Sequence, residues 1–384
     1  MAGTDSSAPT VLILYMSVGS GHRFAAEALK LALEQRRPGV QVQARDLGQA
    51  SGSWLMQRLP ALYGRLLRVA PGLYDRAWDS PAMAGPFALV ERFWGRRNQA
   101  AAQQLIQELG PDLAICTHAV PARAVAALKR EGLGVPMLCV PTDLGLHPYW
   151  PIEGADAYSV GAEPLRNDLI QRGFPPERIS VLGIPIRLAF AEGSKERRQP
   201  GVPPRALMLA GARDQGPYGQ VSREIAAILT GEEADRGRFQ AVVVTGNNTS
   251  LEVALEGRRG EFAQPTQILG FVGDMHRLMD ECDLLVTKPG GLIVSEALAK
   301  ALPMVLVGPP VGQERANMRL LVGQGAAVEA RGPRAVRQAI LALAGAPEAL
   351  REMAARASAL GHPNAAFDVA DLALSMVGPA EAPS

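Results

Sequence analysis

Residues 10–36 read TVLILYMSVGSGHRFAAEALKLALEQR, and this stretch decides the fold class. Its first part is an apolar run rich in Val, Ile and Leu, which predicts a buried strand over Thr10–Ser17. A turn containing Gly19 and Gly21 follows, where glycine lets the backbone turn tightly. A helix is then predicted over His22–Arg36, because small and apolar residues recur at the spacing of one helix face: Ala25, Ala28, Leu29, Ala32 and Leu33. A strand that turns directly into a helix is the repeating unit of a helix-covered parallel sheet.

The same alternation of short apolar strands and helices runs through both halves of the chain. Further strands are predicted in the first half at Gln41–Leu47, Asp112–His118, Pro136–Asp143, Ala157–Ala162 and Ile179–Pro185. In the second half they are predicted at Arg205–Ala212, Ala241–Gly246, Thr266–Val272, Asp283–Lys288 and Pro303–Gly308. Continuous apolar strands that alternate with helices are typical of parallel sheets covered on both faces. The predicted fold class is therefore α/β, with two doubly wound, Rossmann-like domains.

The length of 384 residues and one polar segment predict where these domains divide. Residues 192–204 read EGSKERRQPGVPP, a charged and proline-rich composition that is typical of a linker. We predict a first domain over residues 1–195, a second over 204–362, and a final helix with a tail over 363–384. Two such domains joined by a linker are expected to face a central cleft, with ligands beyond the carboxyl ends of the strands.

Composition excludes several classes of protein. Lys and Arg total 39 and Asp and Glu total 38, a balance that argues against a general nucleic-acid binder. The three cysteines are odd in number and far apart, and the five histidines lack metal-ligand spacing, so neither a disulfide framework nor a structural metal site is expected. No basic residue precedes Arg23 and no long apolar segment is present, so we expect a protein of the reducing cytoplasm without a signal peptide.

Titratable residues in the first half cluster at the predicted carboxyl ends of strands. His22 opens a helix at such an end, and the helix N-terminus favours a neutral imidazole that can accept a proton. A lone histidine at such a position would more often only cap the helix or pack against its neighbours. Three further groups occupy comparable positions, which makes a shared cleft the better interpretation: His118, Asp143 and His147.

The second half contains the strongest local pattern. A strand runs into Lys288-Pro289-Gly290-Gly291 and a helix over Leu292–Ala301, and the next strand runs into a similar loop at residues 309–314. Two helix N-termini side by side suit a diphosphate. Glu296 could accept hydrogen bonds from ribose hydroxyls, or be only a capping or surface carboxylate. Three polar residues could bind a hexose or be solvated loop residues: Gln313, Glu314 and Asn317.

Several familiar chemistries have no motif in this sequence. There is no Asp-x-Asp metal clamp, no phosphate-binding P-loop and no Gly-x-Ser-x-Gly nucleophile turn. A metal-dependent diphosphate site, a P-loop ATPase and a typical α/β-hydrolase are therefore not expected.

Seven spaced blocks carry a resemblance to a known family. They are SVGSGHRFAAEAL (17–29), TH (117–118), PTDLGLHPYW (141–150), VLGIPI (181–186), GFV (270–272), TKPGGLIVSEAL (287–298) and GQERAN (312–317). In this order they resemble the monogalactosyldiacylglycerol synthases and processive diacylglycerol glucosyltransferases of glycosyltransferase family 28.

The resemblance implies a GT-B fold in which the first domain takes the acceptor and the second takes the nucleotide-sugar. It implies that a last helix, near Pro363–Val377, crosses back to the first domain. His22 would be the general base, with Asp143 in the same catalytic group and inversion at the anomeric carbon. Acceptor or cleft positions would be Gly19, Gly21, His118 and His147. The donor would contact Gly211, Arg213, Gly246, Phe271, Val272, Thr287, Lys288, Gly290, Gly291, Glu296, Gln313, Glu314 and Asn317. No metal or other cofactor is expected.

Residues 51–99 interrupt the strand and helix rhythm. Seven arginines face three acidic residues here, a local net charge of +4 in a chain whose total is +1. Three of the four tryptophans also lie here, so the segment resembles an interfacial element on anionic lipid. The alternative is a helical insertion packed on its own core. The candidate membrane residues are Trp54, Leu55, Arg58, Leu59, Arg65 and Trp78.

These observations predict an inverting UDP-sugar-dependent hexosyltransferase that acts on diacylglycerol or a glycosyldiacylglycerol and makes membrane glycolipid. We expect it on the inner face of the cell membrane, bound peripherally to an anionic surface, with no nucleic-acid partner. One alternative is an N-acetylglucosaminyltransferase acting on a polyprenyl-diphosphate-linked intermediate. Others are a non-catalytic nucleotide-sugar-binding protein and a UDP-glucose epimerase or hydrolase. Spacing cannot distinguish glucose from galactose.

Overall fold

The computed structural model describes residues 8–17, 21–52, 84–147, 149–192, 203–210, 219–308, 312 and 314–377. These residues form two compact units. The first contains the described residues up to Leu188 together with those from Asn364 onward, and the second contains those within Ala189–Pro363. Residues 193–202 of the predicted linker lie outside the described ranges.

The first unit is built on a six-stranded parallel sheet in the order β2-β1-β3-β4-β5-β6. Its strands are β1 (Thr10–Tyr15), β2 (Gln41–Asp46), β3 (Leu113–Cys116), β4 (Met137–Cys139), β5 (Ala157–Val160) and β6 (Ile179–Val181). Its first helices are α1 (Gly21–Arg36), α2 (Leu47–Ala50), α3 (Ala84–Leu109), α4 (Ala119–Arg130) and α5 (Glu163–Gln171).

The second unit has a six-stranded parallel sheet in the order β12-β11-β10-β7-β8-β9. Its strands are β7 (Arg205–Leu209), β8 (Gln240–Val244), β9 (Thr266–Leu269), β10 (Leu284–Thr287), β11 (Met304–Val307) and β12 (Ala327–Ala330). Its helices are α6 (Gly219–Leu229), α7 (Thr249–Glu256), α8 (Met275–Asp280), α9 (Gly291–Ala299), α10 (Glu314–Gly323), α11 (Gly332–Ala344) and α12 (Pro347–Leu360). A last helix, α13 (Ala365–Met376), belongs to the first unit. Short 3-10 turns occupy Pro176–Arg178, Leu188–Phe190, Glu233–Asp235 and Arg259–Glu261.

Strand β1 shows why its sequence is apolar on both faces. Leu12 and Leu14 pack into one core with residues of α3 and α4. Val11 and Ile13 point to the opposite face, where they pack with residues of α1 and α13. Because successive side chains of a strand alternate between faces, a sheet covered on both sides buries both faces of its central strands. The predicted pair of doubly wound α/β sheets is confirmed.

Many of the strands end earlier than predicted at their carboxyl ends. The strand predicted to reach Leu47 ends at Asp46, whose carboxylate accepts hydrogen bonds from the amides of Gly48 and Gln49 and so caps α2. Strand β12 was missed, since its four residues Ala-Val-Glu-Ala show little of the apolar run that marks the others. All three cysteines are buried free thiols.

Candidate active site

His22 lies at the point in the first sheet where the strand order reverses. It is the second residue of α1, which follows β1, and the neighbouring strand β3 ends just before Thr117. Open parallel sheets bind ligands at the carboxyl ends of the two strands that flank such a switch point. The structure therefore brings His22, Thr117 and His118 to the place where the fold provides a site.

Two oxygen atoms contact the same nitrogen of the His22 ring. The Thr117 carbonyl lies 3.0 Å from Nδ1, and the Thr142 Oγ1 lies 2.7 Å from it. The Thr117 hydroxyl also donates to the His22 carbonyl at 3.1 Å. A carbonyl oxygen can only accept, so the contact with Thr117 requires a proton on Nδ1. The lone pair of the neutral ring is then on Nε2.

The surroundings of His22 keep its ring neutral. Burial lowers the pKa of His22 to about 4, and the hydrogen bond to the Thr117 carbonyl partly opposes this effect. At neutral pH the imidazole is therefore unprotonated. A neutral imidazole with its lone pair on Nε2 can accept a proton from a substrate hydroxyl.

His118 and His147 adopt the opposite tautomer. His118 caps α4, and its Nδ1 accepts from the Val120 amide at 3.1 Å. The Nδ1 of His147 accepts from the Tyr149 amide at 3.1 Å. In the neutral rings Nε2 therefore carries the proton in both residues.

The three histidines are close enough to influence one another. The rings of His22 and His118 meet edge to face, with centroids 4.5 Å apart. The pKa of His118 is well below its ordinary value, through burial first and then the charges that His22 and His147 would carry. Burial also lowers the pKa of His147 to about 4, with a smaller effect of Arg172. The first unit thus contains one imidazole that can accept a proton, that of His22, and two whose Nε2 carries a proton, those of His118 and His147.

In the loop after β4, Thr142 contacts the His22 ring, and it lies one position before the predicted Asp143. Asp143 is half-buried in the same loop. Sequence reasoning missed Thr117 and Thr142, although both lie within the quoted blocks at residues 117–118 and 141–150. Thr117 directly follows the buried strand β3, and this position was a signal that could have identified it. Thr142 lies three residues after β4 and has no such signal.

In the second unit the switch point lies between β7 and β10. Lys288, Pro289 and Gly290 lead from β10 into α9, and Gly290 is the N-cap residue of that helix. A glycine cap has no side-chain oxygen to bind the first amides of α9. Because these amides carry the positive end of the helix dipole, this loop is suited to an anion.

The second loop is joined to the first through two side chains of α10. Glu314 is only 7% exposed, and its Oε1 pairs with the Lys288 Nζ at 2.9 Å. Asn317 is fully buried, and its amide donates to the Pro289 carbonyl at 2.9 Å. The structure thus brings together Lys288, Gly290, Glu314 and Asn317, which sequence analysis assigned to the donor. Asn317 positions the Lys288 loop through this bond.

Glu296 and Thr287 are enclosed beside this loop. Glu296 is 4% exposed on α9, and Thr287 is 2% exposed at the end of β10. A carboxylate this well buried is not a surface residue, so the surface interpretation of Glu296 is excluded.

A third group of predicted donor residues lies at the carboxyl ends of β8 and β9. Gly246 has a φ of +59°, which favours glycine, and its amide donates to the Gly270 carbonyl at 3.2 Å. Phe271, directly after this contact, is 74% exposed, and Val272 is half-buried.

Other predicted residues lie outside the described residues. They are Gly19, Gly211, Arg213, Gln313 and the six candidate membrane residues Trp54, Leu55, Arg58, Leu59, Arg65 and Trp78. Among the residues that the structure describes, no group of three or more His, Cys, Asp and Glu side chains is arranged to hold a metal ion.

Two family models match the chain. The model described as monogalactosyldiacylglycerol (MGDG) synthase matches residues 22–186. The model of the glycosyltransferase family 28 C-terminal domain matches residues 215–369. The matched regions include His22, Thr117 and Thr142 in the first unit, and Lys288, Glu296 and Glu314 in the second.

Relatives cover nearly the whole chain. The probable monogalactosyldiacylglycerol synthase 2, chloroplastic, of Oryza sativa subsp. japonica is 31% identical, over 95% of this chain and 80% of its own length. The processive diacylglycerol beta-glucosyltransferase of Bacillus subtilis is 29% identical, over 83% of this chain and 82% of its own.

Solved structures share the fold. MurG of Acinetobacter baumannii superposes with a TM-score of 0.65 at 18% identity, covering 96% of this chain and all of that one. The calicheamicin glycosyltransferase CalG4 gives a TM-score of 0.61 at 16% identity, covering 97% of this chain and all of that one. These similarities confirm the GT-B fold, and the sequence relatives confirm the predicted family. The chain belongs to the monogalactosyldiacylglycerol synthase family within glycosyltransferase family 28.

Proposed function

We propose that this protein transfers a hexose from a UDP-sugar to diacylglycerol or a glycosyldiacylglycerol, with inversion at the anomeric carbon. The observation that carries the proposal is His22, a neutral imidazole with its lone pair on Nε2 at the switch point of the first sheet. Both sequence relatives described above are named for making glycosyl diacylglycerols.

The reaction follows from the chemistry of these groups. Nε2 of His22 takes the proton of the acceptor hydroxyl as its oxygen attacks the anomeric carbon. The bond between that carbon and the β-phosphate oxygen breaks on the opposite face, so configuration inverts. UDP leaves with the electron pair of the broken bond and gains one negative charge.

We propose that the second unit stabilises the departing UDP without a metal. The first amides of α9 and the ammonium group of Lys288 are positive groups beside the same glycine loop. Glu314 neutralises part of the Lys288 charge in the unliganded protein. A bound diphosphate would compete with Glu314 for this ammonium group.

The remaining donor contacts are those that the family resemblance implies. Glu296 would accept hydrogen bonds from the ribose hydroxyls, and backbone groups of Phe271 and Val272 would contact the uracil. Glu314 would bind hexose hydroxyls. One relative is named for a galactosyl product and the other for glucosyl transfer, which supports glucose or galactose as the hexose.

The same fold serves a second class of reaction. The UDP-GlcNAc 2-epimerase of Neisseria meningitidis superposes with a TM-score of 0.57 at 14% identity, covering 95% of this chain and all of that one. An epimerase or hydrolase would convert the nucleotide-sugar without lipid. The sequence relatives are named for diacylglycerol glycolipids, which favours transfer to lipid.

We expect a glycosyldiacylglycerol product when the protein is incubated with diacylglycerol vesicles and UDP-glucose or UDP-galactose. Mass analysis of the extracted lipid should show the added mass of one hexose or more. UDP-N-acetylglucosamine with the same vesicles serves as the matched donor control. Turnover of the nucleotide-sugar in the absence of lipid, with no lipid product in its presence, would overturn the proposal in favour of an epimerase or hydrolase.

We also propose that residues 51–99 bind an anionic membrane surface on its cytoplasmic side. The support is the local charge of +4 together with three of the four tryptophans. None of the helices that the structure describes is long and apolar enough to cross a membrane. Arginine near an anionic surface contributes about 1 kcal/mol.

Co-sedimentation tests this membrane proposal. The double variant Arg58→Gln, Arg65→Gln should bind vesicles with 30% anionic lipid about 10- to 30-fold more weakly than the unaltered protein, since two charges contribute about 2 kcal/mol. The control is Arg334→Gln, Arg356→Gln, which removes the same charge from exposed positions on α11 and α12. Equal binding by both double variants would rule out this segment as the contact.

A further inference from the structure

The His22 ring is held by two neutral oxygens from two different strand ends. Thr117 follows β3, Thr142 lies shortly after β4, and both contact Nδ1. These partners are 95 and 120 residues away from His22 along the chain. General bases of this kind need the proton on one ring nitrogen only, and the partner of the other nitrogen decides which.

The Thr117 carbonyl excludes one tautomer. If Nδ1 lacked a proton, the carbonyl would face a nitrogen lone pair at 3.0 Å with no hydrogen between them. A buried hydrogen-bond acceptor that has no donor destabilises the folded protein. With the proton on Nδ1, this carbonyl accepts at a normal hydrogen-bond distance.

With the proton on Nδ1, Thr142 can contact this nitrogen only as a hydrogen-bond acceptor. Its Oγ1 lies 2.7 Å from Nδ1 and accepts a second branch of the same hydrogen bond. The two acceptors lie on different strand ends, so together they hold the ring plane as well as the proton. A half-turn of the ring would replace Nδ1 by a carbon atom and break both contacts. The edge of His118 against the ring, at 4.5 Å between centroids, adds a steric restraint.

We propose that Thr142 is a positioning residue that keeps the proton of His22 on Nδ1 and the lone pair on Nε2. The inference rests on the proposed role of His22 as general base. It assigns to a threonine hydroxyl the orienting task that a carboxylate performs in Ser-His-Asp triads. A neutral partner orients the imidazole without adding a negative charge beside it.

Thr142 can be tested because the contact is made by its side chain. The Thr117 contact is made by a backbone carbonyl, which substitution leaves in place. Thr142→Val removes the oxygen at nearly unchanged volume, and Thr142→Ser keeps it. Thr266→Val is a control for loss of a half-buried threonine hydroxyl in the second unit, where Oγ1 donates to the Gln264 carbonyl.

We expect Thr142→Val to lower kcat by ~10- to 100-fold with the KM values changed less than about threefold. Thr142→Ser should retain at least about half of the activity, and Thr266→Val should match the unaltered protein. Nitrogen NMR of the labelled, unliganded protein at pH 7 should show His22 with its proton on Nδ1. The valine variant should gain a population with the proton on Nε2. Thermal unfolding of each variant reports whether the fold is intact.

Other results would contradict the inference, each at a different step. A His22 proton on Nε2 in the unaltered protein would overturn it regardless of activity. An unchanged kcat in the valine variant would overturn the positioning role, and loss of activity that serine does not restore would make Thr142 merely structural. If His22→Ala retained turnover, the proposed base would be wrong, while the NMR comparison would still decide the contact between Thr142 and His22.

Discussion

His22→Ala is expected to lower kcat by ~10³-fold while the affinity for UDP stays within about twofold of the unaltered protein. The substitution removes the nitrogen that we propose takes the proton of the acceptor hydroxyl. The residues proposed to bind the donor, Lys288, Gly290 and Glu296, belong to the second unit, so UDP binding should persist. Steady-state turnover with diacylglycerol vesicles and calorimetric titration with UDP measure the two quantities.

His276→Ala provides the matched control. This histidine lies on α8 in the second unit, where its ring meets Phe190 edge to face at 6.0 Å. Loss of its imidazole should leave kcat within about threefold. If His22→Ala retained more than about a tenth of the turnover, His22 would not be the base. If it abolished UDP binding as well, a folding defect would be the cause.

The pH profile of the unaltered protein gives a second measurement of the same group. A general base must be unprotonated, and the pKa of His22 is lowered to about 4 by burial. The value of kcat/KM reports ionisations of the free enzyme, so it should stay level from pH 8 to about pH 5 and fall near pH 4. An acid limb near the ordinary histidine value of about 6.5 would contradict this environment for His22.

Gly361→Ala is expected to lower the free energy of unfolding of the second unit by at least ~2 kcal/mol. A Cβ at this position would lie 2.4 Å from the Leu298 carbonyl oxygen and 2.9 Å from its carbon. Both are backbone atoms of α9, so the clash is relieved only when α9 or the end of α12 that carries Gly361 moves. Denaturant unfolding measures the loss.

Gly345→Ala is the control for this prediction. Gly345 is the C-cap of α11 with a φ of −83°, as Gly361 is the C-cap of α12 with a φ of −79°. A Cβ on Gly345 would meet its nearest atom, the Leu341 carbonyl oxygen, at 3.5 Å, an ordinary contact. Its effect should therefore be under about 1 kcal/mol. Equal losses of unfolding free energy in the two variants would show that the close approach at Gly361 does not cause the destabilisation.

The elements of the fold could be predicted where a signal is local. The strand and helix at residues 10–36 follow from an apolar run, two glycines and one helical face. Strand β12 was missed because Ala327–Ala330 contains a glutamate and no long apolar run. Strand β12 joins the sheet by pairing with β11. The composition of β12 alone does not reveal this partner.

Part of the candidate site could also be predicted. His22, Lys288 and Glu314 lie in segments that follow buried strands, whose carboxyl ends meet at one edge of a parallel sheet, and Glu296 lies one turn into the helix after the Lys288 loop. Thr142 was missed because a threonine after a strand looks like any loop residue until its partner is known. Asn317 was identified as a contact for the sugar, while the structure shows its amide bonded to the Pro289 carbonyl.

Local patterns in the amino-acid sequence predict the α/β class, most of the strand and helix positions and the glycine loops, because these depend on neighbours within one or two turns of the chain. Which loops meet depends on how the sheets pack. His22 contacts residues 95 and 120 positions away, and Lys288 pairs with a residue 26 positions away. The same apolar pattern is compatible with many orders of parallel strands, and only the order β2-β1-β3-β4 places the ends of β3 and β4 beside the start of α1. The tautomer of the His22 ring, and with it the proton acceptor of the proposed reaction, is therefore a property of the packed sheet.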